Sequence, residues 1–236
     1  MKILALDTAT EACSVSLLTG TSRLDRYQEM ERGQAELILP MVESVLSEAG
    51  VSLRELDAIA FGRGPGGFTG VRLAASVVQG LAFGAGVGVV PVSDLAAVAL
   101  QAARYEPTAR TVLVANDARM KEVYWASFGV DSLLISSAGP EQVGPPEGVI
   151  LPVPGSVSGP GSAPATAWLA AGRGLRAWPE LAERCRVAGA RALPDLLPRA
   201  SEVLDLALPR VQAGQLLDPT EALPVYVRDR VAESRL

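Results

Sequence analysis

The sequence contains no histidine, only two cysteines, and 5% aromatic residues. Without imidazole there is no Ser-His-Asp or Cys-His catalytic set, no histidine pair on a helix to bind zinc, and no side chain whose ordinary pKa lies near neutrality. Cys13 and Cys185 are too far apart in sequence to form a Cys-x-x-Cys clip, and two lone cysteines fit free thiols in a reducing compartment. Basic charge is also short. Lys and Arg number 21 against 26 Asp and Glu, a net charge of −5, so the chain has no overall basic footprint for holding nucleic acid by itself. All but two of the basic residues are Arg, which reads as a composition bias. Long apolar runs are missing too. The longest, Leu81 to Val92, is broken by glycines and a proline and falls short of the ~18 residues of a membrane span. The first residues carry no signal-peptide pattern, and a cytoplasmic location is expected. Any catalysis must rest on carboxylates, hydroxyls, Arg, Lys or a borrowed active site.

What is present is a globular α/β pattern, with 49% hydrophobic and 20% charged residues. Lys2–Asp7, Cys13–Leu18 and Ser22–Met30 read as three strands joined by tight turns. Leu37, Ile38, Met41, Val42, Val45, Leu46 and Ala49 recur at helical spacing and predict a helix from about Gln34 to Ala49. Pro40 lies in its first turn or kinks it. Ser52-x-x-Glu55 is a capping-box pattern. Asp57–Gly62 and Val87–Val92 are further strands, separated by a small-residue helix from Val71 to about Gly84. Ser93 caps a third helix, Asp94 to about Ala103. The order βββαβαβα is a mixed sheet covered by helices.

Tyr105-Glu106-Pro107 marks the expected division into residues 1–105 and 106–236. Beyond it, Thr111–Asn116, Asp117 and Glu122–Phe128 repeat the opening strand–Asp–turn–strand, which makes Asp7 and Asp117 equivalents in a duplicated half. Residues 139–165, within a departure spanning about 131–165, are mostly Gly, Pro and Ser. They predict a loop unable to hold a ladder or helix. Order returns at Ala167–Ala171 and in a helix after Trp178-Pro179. Asp195 is expected to cap a last helix, about Leu196 to Gln212, and Pro224–Val227 to form a closing strand.

Two constellations could carry chemistry. Asp7, with the hydroxyls of Thr8 and Thr10, could orient Mg²⁺-bound phosphates from a turn between strands, or simply satisfy that turn. The run Gly62 to Gly70, containing Gly64 and Gly66, joins a strand to a helix. Its amides could hold an anion with help from Arg63 and Arg72, or its glycines could let two backbones approach. It is neither a P-loop nor a dinucleotide fingerprint.

Leu4 to Val15, Ile38-Leu39-Pro40-Met41 and Gly62-Arg63-Gly64-Pro65-Gly66-Gly67-Phe68-Thr69-Gly70-Val71-Arg72 closely resemble the TsaB (YeaZ) family of bacterial tRNA threonylcarbamoyladenosine biosynthesis proteins. So do Asp117 to Trp125, Ala177-Trp178-Pro179 and Pro224-Val225-Tyr226-Val227-Arg228. The resemblance implies an actin-like ATPase (ASKHA) fold of two ribonuclease-H-like mixed-sheet halves. It also implies a non-catalytic scaffold or activator that pairs with a TsaD-type transferase, joined by a TsaE-type ATPase, in the N6-threonylcarbamoyl modification of tRNA beside the anticodon. No cofactor is expected, and nucleotide only at the junction with the partner. A homodimer in isolation is compatible with the same surface. Where the TsaD type has two histidine ligands, this chain reads Arg32-Gly33-Gln34-Ala35-Glu36-Leu37-Ile38. The second half shows no Gly-Gly loop, Asp117-Ala118-Arg119-Met120 standing in that place. Leu37, Met41, Val45, Val71, Ala75 and Val78 are the expected partner patch. The alternatives are a free-standing ASKHA-type small kinase or ATPase using Asp7 and Asp117, an RNA-binding homodimer, which the net charge opposes, and a metalloprotease, which the missing histidines disfavour.

Overall fold

The computed structural model describes residues 1–152 and 168–227. The chain forms two compact units. The first is Met1–Val98 with Leu197–Pro224; the second is Ala99–Leu196 and, among the described residues, 225–227.

In the first unit β1 (Lys2–Asp7), β2 (Ala12–Thr19), β3 (Ser22–Glu29), β4 (Ala58–Gly62) and β5 (Gly88–Val92) form one sheet in the order β3-β2-β1-β4-β5. β1–β2 and β2–β3 are antiparallel, while β1–β4 and β4–β5 are parallel. The parallel pairs need crossovers, supplied by α1 (Gln34–Ala49) before β4 and α2 (Phe68–Ala85) before β5. Strand alternation sorts side chains by size. Leu4, Leu6, Val15, Leu17, Ile59 and Phe61 pack against α1 and α2. Ile3, Ala5, Ala58 and Ala60 line the opposite face. There the mostly small side chains receive Val203, Leu204 and Ala207 of a later helix.

After α3 (Asp94–Tyr105), β6 (Thr111–Arg119), β7 (Glu122–Asp131), β8 (Leu134–Ser137), β9 (Gln142–Gly144), β10 (Leu169–Ala171), α4 (Gly174–Ala177), α5 (Pro179–Val187), β11 (Arg191–Leu193) and α6 (Ala200–Gln212) follow. The second sheet runs β11-β10-β6-β7-β8, with β9 also on β7. This repeats the first sheet's plan: an antiparallel hairpin and parallel strands on the other side of its first strand. Two mixed-sheet halves built on one plan are therefore present. Leu113, Trp125, Trp168, Leu175 and Leu181 anchor the second core.

Several expectations change. The division falls inside α3, not at 105/106, and α6 returns to the first unit. α6 begins at Ala200, not Leu196, because the Ser14 hydroxyl on β2 accepts the buried Ala200 N–H at 2.9 Å. Asp195 instead meets the exposed Arg176 at 3.3 Å. Arg210 donates to the Pro91 carbonyl at 2.8 Å, and Arg23 pairs with Asp205, so α6 is tied to the first sheet by side chains distant in sequence. Pro40 sits inside α1 on an exposed position. β8 and β9 form in the stretch around 131–165 because each pairs with β7, and a ladder needs backbone partners more than apolar side chains. Residues 224–227 form no strand. Positions 153–167, with Ala167 and part of the Gly/Pro-rich stretch, and Arg228 lie outside the described residues. α2, at 18 residues, is long and apolar enough to pass for a membrane span by length and composition. Its Val71, Ala74, Ala75, Val78 and Ala82 side are core.

Ser14→Ala should leave the buried Ala200 N–H without its acceptor and lower stability by about 1–3 kcal/mol, as measured by urea unfolding.

Candidate functional site

Apolar alternation along β1 ends at Asp7, and the turn Asp7-Thr8-Ala9-Thr10 leads into β2. The crossover from β4 to α2, Gly62 to Gly70, lies directly on that turn. The Gly67 N–H donates to the Ala9 carbonyl at 2.7 Å, and the Thr8 hydroxyl donates to the Gly70 carbonyl at 2.7 Å. A Cβ on Gly66 would collide with the Ala9 carbonyl, and one on Gly70 with the Thr8 carbonyl. A Cβ on Gly62 would enter the space held by the carboxylates of Asp7 and Asp94. Gly64 adopts φ +104°, open to glycine, and its N–H donates to Asp94. Close approach of backbones is what this run of glycines provides.

Asp7, Thr8 and Asp94 are fully buried. The Ala9 N–H donates to Asp7 Oδ1 at 3.1 Å. Burial pushes Asp7 above the usual carboxylate range, although the neighbouring Asp94 carboxyl and the Ala9 N–H act the other way. Burial pushes Asp94 well above that range, and the neighbouring Asp7 adds to the effect. The Cys13 thiol on β2 is pushed up to about 11 by burial, with the Asp7 charge second. The Thr10 hydroxyl accepts the Ala12 N–H at 3.3 Å, while its carbonyl receives the Gln34 amide. Arg72 lies over the Phe68 ring, 3.4 Å from its centroid. Of the expected phosphate-orienting residues, Asp7, Thr8, Gly64 and Gly66 meet at this crossover, whereas Thr10 bonds within its own turn and to Gln34, and Arg72 stands on an exposed position over Phe68. In the sequence Asp94 gives no signal beyond its place after the capping Ser93.

In the second unit, parallel register shows which residue corresponds to Asp7. Leu6 pairs with Phe61, so Asp7 stands beside Gly62; Val114 pairs with Ala171, so Ala115 stands beside Gly172. Asp117 lies two residues further on, where it holds the Arg119 N–H at 2.9 Å. The expected equivalence of Asp7 and Asp117 is off by that step. The second glycine device is Gly172-Arg173-Gly174: a Cβ on Gly172 or Gly174 would lie 2.5 or 2.7 Å from the Ala115 carbonyl.

The helix faces also differ from expectation. Met41, Val45, Val71, Ala75 and Val78 point into the core between α1, α2 and the sheet, and Leu37 is half-buried against it. The apolar stripe at helical spacing is the inward one. The outward face of α2 carries Thr69, Ser76, Gly80, Phe83 and Gly84, with Phe83 79% exposed and open space above both glycines. Leu39 on α1 is also exposed. Between the helices runs a shallow apolar groove of about 430 Å³, lined in part by Leu39, Val42, Leu46, Val51, Leu53 and Leu81.

A family model described as TsaD, tRNA N6-adenosine threonylcarbamoyltransferase, matches residues 28–176. The tRNA threonylcarbamoyladenosine biosynthesis protein TsaB of Escherichia coli is 39% identical over 100% of this chain and 98% of its own length. The chain belongs to the TsaB family. The Haemophilus influenzae TsaB is 36% identical over 100% of the chain and 97% of its own. The structure of YeaZ from Pseudomonas aeruginosa is 45% identical and superposes with a TM-score of 0.80, covering 95% of this chain and 99% of that one. The TsaB-like glycine run is therefore embedded in a full-length match, and its packing role above applies to a TsaB fold.

Gly70→Ala should cost about 2–3 kcal/mol in urea unfolding, because the Thr8 backbone cannot move aside. In the same helix, Gly84→Ala should gain about 0.5–1 kcal/mol, since its Cβ meets nothing and helix propensity rises.

Proposed function

We propose that this TsaB-family chain is a non-catalytic accessory subunit in N6-threonylcarbamoyladenosine formation on tRNA. It pairs with a TsaD-type transferase that performs the transfer, with a TsaE-type ATPase joining them in the cytoplasm. Family membership supplies the pathway. The observation that carries the non-catalytic part is the closed state of the Asp7 turn: the Thr8 hydroxyl and the Gly67 N–H are spent on holding the β4–α2 crossover, and the Asp7 carboxylate is fully buried beneath it. A net charge of −5 accords with a subunit that reaches tRNA through its partner.

The partner-facing surface in this reading is the outer side of α1 and α2. Gly80 and Gly84 let a facing helix approach closely, Phe83 and Leu39 supply apolar area, and the groove beside Leu81 accepts a side chain. The same surface could serve a homodimer when the chain is alone.

Gly80→Glu and Phe83→Glu change positions that carry little of the core. Both should leave the circular dichroism spectrum and unfolding midpoint near wild type while abolishing the heterodimer with a TsaD-type partner in size-exclusion chromatography. Unimpaired pairing by both variants would overturn the assignment of this face.

A further inference from the structure

The crossover in the first unit encloses two carboxylates with too few donors. Asp7 Oδ1 accepts the Ala9 N–H, and Asp94 Oδ2 accepts the Gly64 N–H. Asp7 Oδ2 and Asp94 Oδ1 have no donor, and both are buried. Those two oxygens also border one small space, since a Cβ built on Gly62 would strike each of them. Two anionic carboxylates cannot share so small a buried space, whereas a single proton between the facing oxygens satisfies both.

We propose that Asp7 and Asp94 hold one proton between them, forming a buried acid clasp that fastens the Gly62–Gly70 crossover and the start of α3 to the end of β1. One carboxyl carries the proton and donates to the facing oxygen of the other, while the remaining oxygen of each accepts a backbone N–H, Ala9 to Asp7 and Gly64 to Asp94. Backbone bonds hold Asp94 against the crossover: the Asp94 N–H donates to the Gly64 carbonyl at 3.0 Å, and the Arg63 N–H to the Val92 carbonyl at 2.8 Å. Gly62 is glycine because the clasp fills the volume a side chain would need.

Among the described residues, the ionisable groups acting on the pair are few. Arg63 of the crossover attracts Asp94, and Cys13 of β2 stays neutral beside Asp7. β4 and α2 present Gly62 and Gly70 on this side, and α3 presents Asp94 itself. Both carboxyls sit higher in the folded chain than in the unfolded one, so the folded state binds more protons. Their contribution to stability is fully present below the ordinary carboxylate range and is lost as pH rises through the raised values. The clasp is therefore a built-in alkaline weak point in the crossover.

The test uses the full chain as wild type, Asp94→Asn and Asp7→Asn. Asparagine can donate to the remaining carboxylate without needing a proton. At about pH 8, where exposed carboxyls are ionised, the infrared spectrum of the wild type should show a protonated-carboxyl band that both variants lack. Urea midpoints of the wild type should fall relative to the variants as the pH rises from about 4 to about 8. Absence of the band in the wild type overturns the proposal even if neither variant folds. So do a band that persists in both variants, parallel pH profiles, or a wild-type midpoint that drops on adding a chelator, which would put a cation where the proton is assigned.

Discussion

The first unit depends on one close approach: the Gly62–Gly70 crossover pressed against the turn after β1. Three glycines stand where any side chain would strike the turn or the carboxylates beneath it, and two hydrogen bonds, Gly67 to Ala9 and Thr8 to Gly70, set the spacing. This contact fixes where α2 begins, and α2 in turn places one face in the core and the other in solvent. The turn and the glycine loop are in contact, and the same residues act as a joint.

That joint connects sequence to function through geometry. In the proposed reading its closure keeps this gathering of carboxylate, hydroxyl and backbone amides out of the chemistry. Its rigidity holds α2 so that Thr69, Ser76, Gly80 and Gly84 project along a single outward line. A surface of small residues gains little by itself; in the proposed interface it lets another backbone come near, with Phe83 and Leu39 contributing the apolar area. The missing histidines accord with the proposal that a partner brings the chemical groups.

Much of the fold was legible in residue order. The runs Lys2–Asp7 and Asp57–Gly62 announced strands, Ser93 capped α3 through the Ala96 N–H, and Ser52 formed its capping box with Glu55. What failed did so for identifiable physical reasons. Asp195 looked like a helix cap, but the cap came from Ser14, far away in sequence. β8 and β9 arose among turn-forming residues because β7 offered them partners. The patch Met41, Val45, Val71, Ala75 and Val78 was mistaken for an interface because periodicity marks a face without saying which way it points. Asp94 was invisible as a site residue, because nothing in a Ser-Asp-Leu helix start shows that its carboxylate will be buried beside another.

The claim at the centre is that this chain positions a partner and takes no part in the bond-making itself. The direct measurement is the rate of threonylcarbamoyl transfer to tRNA by a TsaD-type transferase reconstituted with the wild-type chain or with Asp7→Asn, at matched and saturating heterodimer. Equal rates are predicted, because the asparagine amide keeps the joint closed. A loss of roughly a hundredfold or more, the scale expected for removing an acid–base group, with folding and pairing intact, would contradict it.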